Sequence, residues 1–233
     1  MPQLRFFDGN AMVGWRAAPH PETIWRPADF VDDYQYYGIG AALVHHASAV
    51  EYHQDYGNRL LLDEIADLPG LIPQWVLLPA HTHEIAPADE LIAEMLERGV
   101  RAARIYPSMH GWPMTEEVSG PLLSELQEHR IPVFVDLGEL SIGGAVSLCE
   151  RCPELPVVLC GVAWGTDREI EPALERVPNL YLETHRLQGH RAYERFAKQF
   201  GAERLIFGTG MPECSPGAAM MMSLYEDISQ EER

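Results

Sequence analysis

Eight short apolar runs recur along the chain, and each is followed by a stretch with the periodicity of an amphipathic helix. The runs cover residues 4–8, 41–46, 71–78, 100–106, 131–137, 155–162, 180–184 and 204–208. Strands that pair in parallel need a crossover between them, usually a helix, so this alternation favours a parallel α/β fold. Eight repeats predict a (β/α)8 barrel, or TIM barrel, whose chemistry takes place at the carboxyl ends of the strands.

The helical stretches carry apolar residues on one face and acidic residues on another. Between positions 87 and 98, for example, Leu91, Ile92 and Met95 share a face, as in a helix packed on a sheet. No linker or charge block interrupts the pattern, so residues 1–233 are predicted to form one barrel domain. Near the end, Ser229 has the spacing of a helix-starting capping box, but the sequence stops four residues later. We therefore expect either a barrel without its last helix or a frayed tail.

The charge of the chain limits its partners. The formal net charge is −18 and the pI is near 4.8, a field that repels phosphate backbones and anionic lipid. We therefore expect a small-molecule ligand or substrate, no nucleic acid and no membrane partner. No apolar run has the roughly 18 residues that span a bilayer, and the start lacks the apolar segment of a signal peptide. These features favour a cytoplasmic protein, and they leave its oligomeric state open, a homo-oligomer included.

Cysteine usage points in the same direction. Four cysteines are too few and too scattered for a disulfide framework, so a reducing compartment is favoured. Cys149 and Cys152 form one C-x-x-C at the end of a predicted helix. Packing is favoured over a metal or redox role there, because a single pair of thiolates cannot complete a tetrahedral site.

Alternate residues of a strand face the same way, so the inward-facing side chains can be followed two by two. The inward positions predicted in this way are Phe6, Asp8, Asn10 and Met12, then Ala102, Arg104 and Tyr106, then Phe134 and Asp136, then Leu159 and Gly161, and finally Ile206, Gly208 and Gly210. Most of the polar members lie near strand ends, where a barrel places its site.

Four stretches resemble motifs of one known family. Residues 8–14, Asp-Gly-Asn-Ala-Met-Val-Gly, are similar to an opening D-x-H-x-H-x-G. Residues 131–138 are similar to L-P-V-x-V-H-x-G, residues 157–161 to V-V-L-A-H, and residues 201–212 to G-A-D-R-I-L-F-G-S-D-Y-P. The resemblance is to the amidohydrolase-related barrels, the amidohydrolase 2 family, which includes metal-dependent decarboxylases and hydrolases. It spans nearly the whole chain and implies the same (β/α)8 fold.

The resemblance also implies a metal site, and the chain departs from it. In that family two histidines of the first strand, one each of the fifth and sixth strands and an aspartate of the eighth bind one or two divalent metals. The matching positions here are Asn10, Met12, Asp136, Gly161 and Gly210. Asparagine and methionine are poor zinc ligands and glycine offers no side chain, so we expect no metal and no cofactor. The substitution at Gly210 also removes the family's usual general base.

Arg104 and Asp136 are predicted to lie on neighbouring strands, both facing inward. One interpretation is an interior ion pair, because a charge buried without a partner costs several kcal/mol. The other makes Arg104 a clamp for a substrate carboxylate, since its planar fork suits bidentate contact. In that case Asp136 is a general base or a polar anchor, and Asn10 and Tyr106 help to bind the substrate. Both interpretations can hold together.

Histidines are concentrated after the strands, at His45, His46, His81, His83, His110 and His185. Each is more typical of a loop or a satisfied core position, but as a set they leave open a relocated metal site. His185 and Glu183 are an acid/base pair by residue type. Residues i and i+2 of a strand lie about 7 Å apart, so we expect no direct hydrogen bond between them without help from their rotamers.

Trp112 follows the fourth predicted strand and Trp164 the sixth. Two tryptophans at the mouth of a barrel can wall a pocket for a flat or apolar ligand, or simply cap the barrel.

Three functions follow from these observations. The first is a hydrolase or carbon–carbon lyase that acts without the family's metals on a small carboxylated or cyclic compound. Asp136, Glu183 and His185 would be its catalytic residues, and Arg104, Tyr106, Asn10, Trp112 and Trp164 would bind its substrate. The second is a catalytically degenerate barrel that binds a small molecule or a protein partner. The third is a metal-dependent hydrolase whose ligands are the additional histidines.

Overall fold

The computed structural model describes residues 5–229, which alternate between parallel strands and helices. The strands are β1 (Phe6–Val13), β2 (Ile39–His46), β3 (Leu71–Pro73), β4 (Trp75–Leu77), β5 (Ala103–Ile105), β6 (Val133–Asp136), β7 (Val157–Cys160), β8 (Leu180–Glu183) and β9 (Leu205–Ile206). The helices are α1 (Pro27–Tyr37), α2 (Ala47–Glu51), α3 (Gln54–Ile65), α4 (Ala88–Glu97), α5 (Glu116–Glu128), α6 (Ile142–Arg151), α7 (Asp167–Arg176), α8 (Ala192–Phe200) and α9 (Pro216–Tyr225).

The third strand of the barrel is interrupted at Gln74. Leu71–Pro73 pairs with β2 on one side, and Trp75–Leu77 pairs with β5 on the other. The Gln74 N–H still donates to the Val44 carbonyl at 2.8 Å, which joins the two pieces. β3 and β4 therefore act as one strand, and the nine segments make eight barrel strands.

The sheet closes between the last strand and the first. The Gly9 N–H donates to the Phe207 carbonyl at 2.8 Å, and the Met12 N–H donates to the Met211 carbonyl at 2.9 Å. The predicted (β/α)8 barrel is confirmed. Most observed strands are shorter than the predicted apolar runs, but β1 continues to Val13 and β2 begins two residues early.

The barrel has its last helix, which corrects the expectation that it is missing. α9 begins at Pro216, ten residues after β9, and its Met220 and Leu224 pack against the cluster that contains Phe30. The sequence signal failed because a capping box was sought at Ser229, beyond this helix. The rest of that motif, at 230–233, lies outside the described residues.

The strands are covered by apolar residues on both sides, outside the barrel and inside it. Outward residues such as Trp75, Ile105 and Leu182 pack against the helices in one large cluster. A smaller cluster of Leu43, Ala102, Phe134, Val158 and Cys160 fills the barrel interior. Leu159 belongs to the outer layer, so its predicted inward orientation is wrong: β7 faces inward through Val158 and Cys160.

Strand β1 contains a β-bulge that corrects its predicted inward face. Its pairing with β2 shifts register between Asp8 and Ala11, which reverses the alternation. Phe6 packs on the outer side with Phe30, whereas Asn10 and Met12 line the cavity at the barrel mouth. Asp8 and Phe6 therefore do not share a face with Asn10 and Met12.

Asp8 instead joins three parts of the fold. Its carboxylate accepts hydrogen bonds from the Thr209 N–H at 2.8 Å, the Thr209 hydroxyl and the Tyr34 hydroxyl at 2.8 Å. It also accepts from the Asn10 N–H at 2.9 Å, across the bulge. The fully buried Asp8 thus ties β1 to helix α1 and to the segment after β9.

This buried carboxyl makes the stability of the fold pH-dependent. Burial raises the pKa of Asp8 from 3.8 to about 6, although its hydrogen bonds lower it. The folded state therefore binds the proton more tightly, and this contribution is present below about pH 4 and lost as the pH rises through 6. Urea denaturation measures the unfolding free energy of the wild type and of Asp8→Asn at each pH. We expect the difference, wild type minus variant, to fall by up to about 3 kcal/mol between pH 4 and pH 7.

The control is Asp63→Asn, which changes an exposed carboxyl on α3. The difference in unfolding free energy between the wild type and Asp63→Asn is expected to stay constant over the same pH range. A wild-type advantage over Asp8→Asn that grows with pH contradicts the assignment.

Within residues 5–229, no helix combines the length and apolar character needed to cross a membrane.

Cys149 and Cys152 are buried at the end of α6, and both are free thiols. Burial raises the pKa of the Cys149 thiol to about 12, as expected of a packing residue.

Candidate functional site

A cavity of about 260 Å³ opens at the carboxyl ends of the strands. The lining residues that carry the argument below are Asn10, Met12, Arg16, His45, Arg104, Tyr106, Asp136, Gly161, His185 and Gly210. They come from seven of the eight barrel strands or the loops that follow them. The cavity is therefore where the fold predicts chemistry.

Arg104 is the cation at the centre of this cavity. It pairs in register with Phe134 of the next strand, so Asp136, two residues after Phe134, lies nearer the mouth than Arg104 does. One Nη of Arg104 donates to Asp136 Oδ2 at 2.6 Å, and the other donates to Asn10 Oδ1 at 2.9 Å. Burial lowers the pKa of Arg104, but the neighbouring Tyr106 and Asp136 raise it by more. The pKa of Arg104 therefore lies well above its ordinary value. The predicted ion pair is confirmed, and Arg104 is only 2% exposed.

Glu183 and His185 form a direct pair, which corrects the expectation that they lie too far apart. β8 ends at Glu183, and the chain turns so that the His185 N–H donates to Glu183 Oε1 at 2.6 Å. Nδ1 of His185 is hydrogen-bonded to Glu183 Oε2. The strand spacing does not apply, because His185 lies in the turn after the strand.

The pair is connected to Arg104 through Asn10. Nδ2 of Asn10 donates to Glu183 Oε2 at 2.8 Å, while its Oδ1 accepts from Arg104. A carboxylate only accepts hydrogen bonds, so the proton of His185 is placed on Nδ1 and Nε2 remains available to the cavity. Glu183 is fully buried and does not line the cavity. Glu183 therefore lies behind His185, with its carboxylate against the imidazole.

Two glycines provide the space for this pair. A Cβ at Gly208 would collide with the carboxylate of Glu183, and a Cβ at Gly210 would lie 2.6 Å from Cδ2 of His185. Gly210 also has a positive φ of 67°, which disfavours other residues. The imidazole of His185 thus lies against the position where the resemblance implies an aspartate.

Tyr106 and His45 form a second polar pair in the cavity wall. The Tyr106 hydroxyl and His45 Nε2 are 2.9 Å apart, and the Tyr106 ring centroid is 5.6 Å from Cζ of Arg104. Burial and then the charge of Arg104 lower the pKa of His45 well below its usual range, so His45 is neutral. Sequence reasoning named His45 only among the histidines of a relocated metal site, although alternation from Leu43 of β2 places it inward.

A salt-bridge network crosses the rim. Arg16, in the loop after β1, contacts Glu51 at 3.0 Å and also pairs with Glu213. Both carboxylates line the cavity. Arg16 and Glu51 were not predicted as site residues, because only a folded chain brings these loops together.

The two tryptophans lie away from the cavity, which corrects their predicted place in its wall. Trp164 is 79% exposed, and Trp112 packs against the outer apolar layer. Neither lines the cavity. Both follow strand ends in the sequence, but strand spacing does not fix where the following loops place their side chains.

The additional histidines do not form a metal site. His81 Nε2 lies 3.0 Å from the Val118 carbonyl, and His110 Nε2 lies 2.8 Å from the Val50 carbonyl. His46 is paired with Glu64 at 3.3 Å on the outer side of β2. Across residues 5–229, no three histidine, cysteine or acidic side chains converge as metal ligands. The structure therefore contradicts a relocated histidine site in this part of the chain.

The residues at the matching ligand positions do not fit a divalent metal either. Asn10 Oδ1 and Asp136 Oδ2 are hydrogen-bonded to Arg104, and Met12 packs with Val50 and Tyr106. A Cβ at Gly161 would have no neighbour within 4 Å, so nothing fills that ligand position. The remaining donors already contact a guanidinium.

Comparison with known proteins gives one family and one fold. The model of the Amidohydrolase family matches residues 14–233. Comparison with curated protein sequences finds no significant match. An uncharacterised TIM-barrel protein from Bordetella bronchiseptica is 19% identical, with a TM-score of 0.70 over 98% of this chain and 94% of that one.

Two decarboxylases have similar structures. The 2,6-dihydroxybenzoate decarboxylase from Rhizobium is 14% identical, with a TM-score of 0.74, and the match covers 98% of this chain and 94% of that one. The 5-carboxyvanillate decarboxylase from Novosphingobium aromaticivorans, complexed with manganese and 4-hydroxy-3-methoxy-5-nitrobenzoic acid, is 12% identical, with a TM-score of 0.75. That match covers 99% of this chain and 93% of the other. Identities this low establish the shared barrel fold alone.

Proposed function

Because this chain belongs to the amidohydrolase family, we propose that it is a hydrolase or carbon–carbon lyase that acts on a small carboxylated cyclic compound by proton transfer at His185. The observation that carries the proposal is the Glu183–His185 pair beside Arg104, with Asn10 hydrogen-bonded to both sides. The decarboxylases of similar fold act on carboxylated aromatic acids, which suggests the substrate class.

His185 has the surroundings of a general acid or base. Glu183 accepts the Nδ1 proton and fixes the ring, so Nε2 can take or give a proton in the cavity. The negative charge of Glu183 also stabilises the imidazolium form of His185 during the reaction.

Arg104 supports binding of the substrate carboxylate. Each Nη carries two protons, and the bonds to Asn10 and Asp136 use one on each. The remaining protons can bind a carboxylate from the cavity side. Asp136, with 31% of its side chain exposed, anchors Arg104 and presents a further acceptor to the ligand, and Tyr106 lines the same wall. A cavity of about 260 Å³ suits a single substituted ring.

The two reaction classes differ in what receives or supplies the proton. In a decarboxylation, the ring–carboxylate bond breaks, carbon dioxide leaves, and the electron pair left on the ring carbon takes the proton from Nε2 of protonated His185. In a hydrolysis, Nε2 of neutral His185 takes a proton from water as the water oxygen bonds to the substrate carbonyl carbon and the carbonyl π electrons move to its oxygen. The tetrahedral intermediate then reforms the carbonyl, the bond to the leaving group breaks, and the leaving group takes the proton from Nε2 of protonated His185. Either step needs the same pair of residues.

A second function, ligand binding without turnover, is supported by the departures from the family's ligand positions. Asn10 and Asp136 hold the buried Arg104 there, and Gly161 and Gly210 offer no side chain. A barrel that has kept the pocket and lost the family's chemistry would have these replacements.

The test is turnover of benzoate and its hydroxy derivatives, beginning with 2,6-dihydroxybenzoate, in deuterium oxide. Carbon dioxide release and deuterium at the vacated ring carbon report a decarboxylation, and NMR detects both the label and any hydrolysis of added cyclic esters. We expect His185→Ala to lower kcat about 100-fold, because a positioned acid or base contributes at least that factor. Glu183→Gln is expected to lower kcat as well, because His185 loses the carboxylate that holds its ring.

The matched control is His190→Ala, which removes an exposed histidine from the same loop. Turnover that survives His185→Ala unchanged contradicts the assignment of His185. Saturable binding of these acids that is lost in Arg104→Gln, with no turnover by the wild type, establishes the binding function instead.

A further inference from the structure

The guanidinium of Arg104 lies where the acceptors of the cavity converge. Asp136 Oδ2 and Asn10 Oδ1 lie 2.6 and 2.9 Å from its two Nη atoms. The amide of Asn10 bonds in turn to the buried carboxylate of Glu183 at 2.8 Å. Two carboxylates are thus arranged about one permanent cation, directly and through one amide.

The rest of the mouth carries both signs of charge, with one more carboxylate than arginine. Glu51, Glu139 and Glu213 line the rim together with Arg16 and Arg186, and the whole chain carries a formal net charge of −18. Such a field raises the local concentration of cations. The cavity therefore attracts positive charge from solution, and Arg104 is the guanidinium that lies at its polar centre.

We propose that Arg104 takes the place of a divalent cation in this cavity and that its charge keeps such a cation out. Manganese is bound to one of the decarboxylases of similar fold, whereas the donors here are unsuited to a closed protein-only metal site. The guanidinium is held by two of the groups that a hard cation would use. Removing it leaves an amide oxygen and a carboxylate facing each other, with a second carboxylate behind them.

The chemistry of these donors selects the cation. Carboxylate and amide oxygens with water suit Mg²⁺ and Mn²⁺, whereas zinc favours imidazole and thiolate. Asn10 and Asp136 supply oxygen only, and a cavity of about 260 Å³ holds the waters that complete the shell. Mn²⁺ is therefore the probe, and its paramagnetism makes its binding directly measurable.

The experiment compares Mn²⁺ binding by tag-free wild-type protein and Arg104→Ala, from the electron paramagnetic resonance signal of the free ion. We expect Arg104→Ala to bind one Mn²⁺ with a Kd at least 10-fold lower than that of any site in the wild type. Arg104→Lys keeps the charge and is expected to match the wild type. Adding Asp136→Asn to Arg104→Ala is expected to abolish the gain.

Arg101→Ala is the matched control, because it removes an exposed arginine two residues before β5 and reports the background of the acidic surface. Arg104→Gln replaces Arg104→Ala if circular dichroism shows that the alanine variant is unfolded. A folded neutral variant with no gain in Mn²⁺ affinity overturns the proposal. The proposal is also overturned if the wild type binds Mn²⁺ and Asp136→Asn, introduced into the wild type, removes that binding. This holds whatever the Arg104 variants do. Neither result depends on turnover, so this test and that of the proposed function fail separately.

Discussion

Replacing Asp8 with alanine is expected to lower the free energy of unfolding by about 3–5 kcal/mol, the largest effect of a single substitution that we predict. The carboxylate accepts hydrogen bonds from Asn10, Tyr34 and both polar groups of Thr209, all in the interior. Alanine leaves these donors without an acceptor, and each unsatisfied buried group costs about 1–3 kcal/mol. It also releases helix α1 and the last strand from β1. Urea denaturation at pH 5 measures the loss.

Two controls separate this network from burial alone. Tyr34→Phe removes one hydroxyl donor and is expected to cost about 1 kcal/mol. Asp63→Ala removes an exposed carboxyl and is expected to change stability by less than about 0.5 kcal/mol. A loss in Asp8→Ala no larger than that in Tyr34→Phe would show that the other donors find new acceptors.

The architecture was predictable because it depends on a pattern repeated eight times. An error at one strand, such as the late start predicted for β2, does not disturb the alternation of buried strands and helices. The closure of the barrel follows from the same pattern, since each strand pairs with its neighbours in sequence order. The last helix was missed because a local capping signal at Ser229 was given more weight than the apolar residues of α9.

The candidate site was predictable only where regular alternation continued to the strand end. Arg104 and Asp136 lie on uninterrupted strands, and their ion pair follows from the register of β5 and β6. Asp8 was misplaced because a bulge reverses alternation, and Gly9, whose place inside a strand is typical of a bulge, was not used as its signal. Contact between Glu183 and His185 was missed because it depends on a turn after β8. The same limit applies to Trp164, whose loop direction is not encoded in strand spacing.

Gly210 is expected to be intolerant of any side chain while His185 is present. Gly210→Ala should lower the free energy of unfolding by about 3 kcal/mol, measured by urea denaturation. Its φ of 67° costs a non-glycine residue about 1–2 kcal/mol, and crowding in a packed site adds about 1–3 kcal/mol. The crowding arises from the imidazole, because the new Cβ would lie 2.6 Å from Cδ2 of His185. An aspartate at this position, as the family resemblance implies, is therefore incompatible with His185 in its present rotamer.

A double-mutant cycle isolates the steric part of this effect. In the His185→Ala background the ring is gone, and Gly210→Ala is expected to cost only the backbone strain, so that the coupling energy is about 1–2 kcal/mol. Gly161 is the matched control, since its φ is 76° and a Cβ there has no neighbour within 4 Å. Gly161→Ala should cost the same with and without His185. An equal cost of Gly210→Ala in both backgrounds would mean that the imidazole does not occupy the space beside residue 210, and the pairing of His185 with Glu183 would then need another geometry.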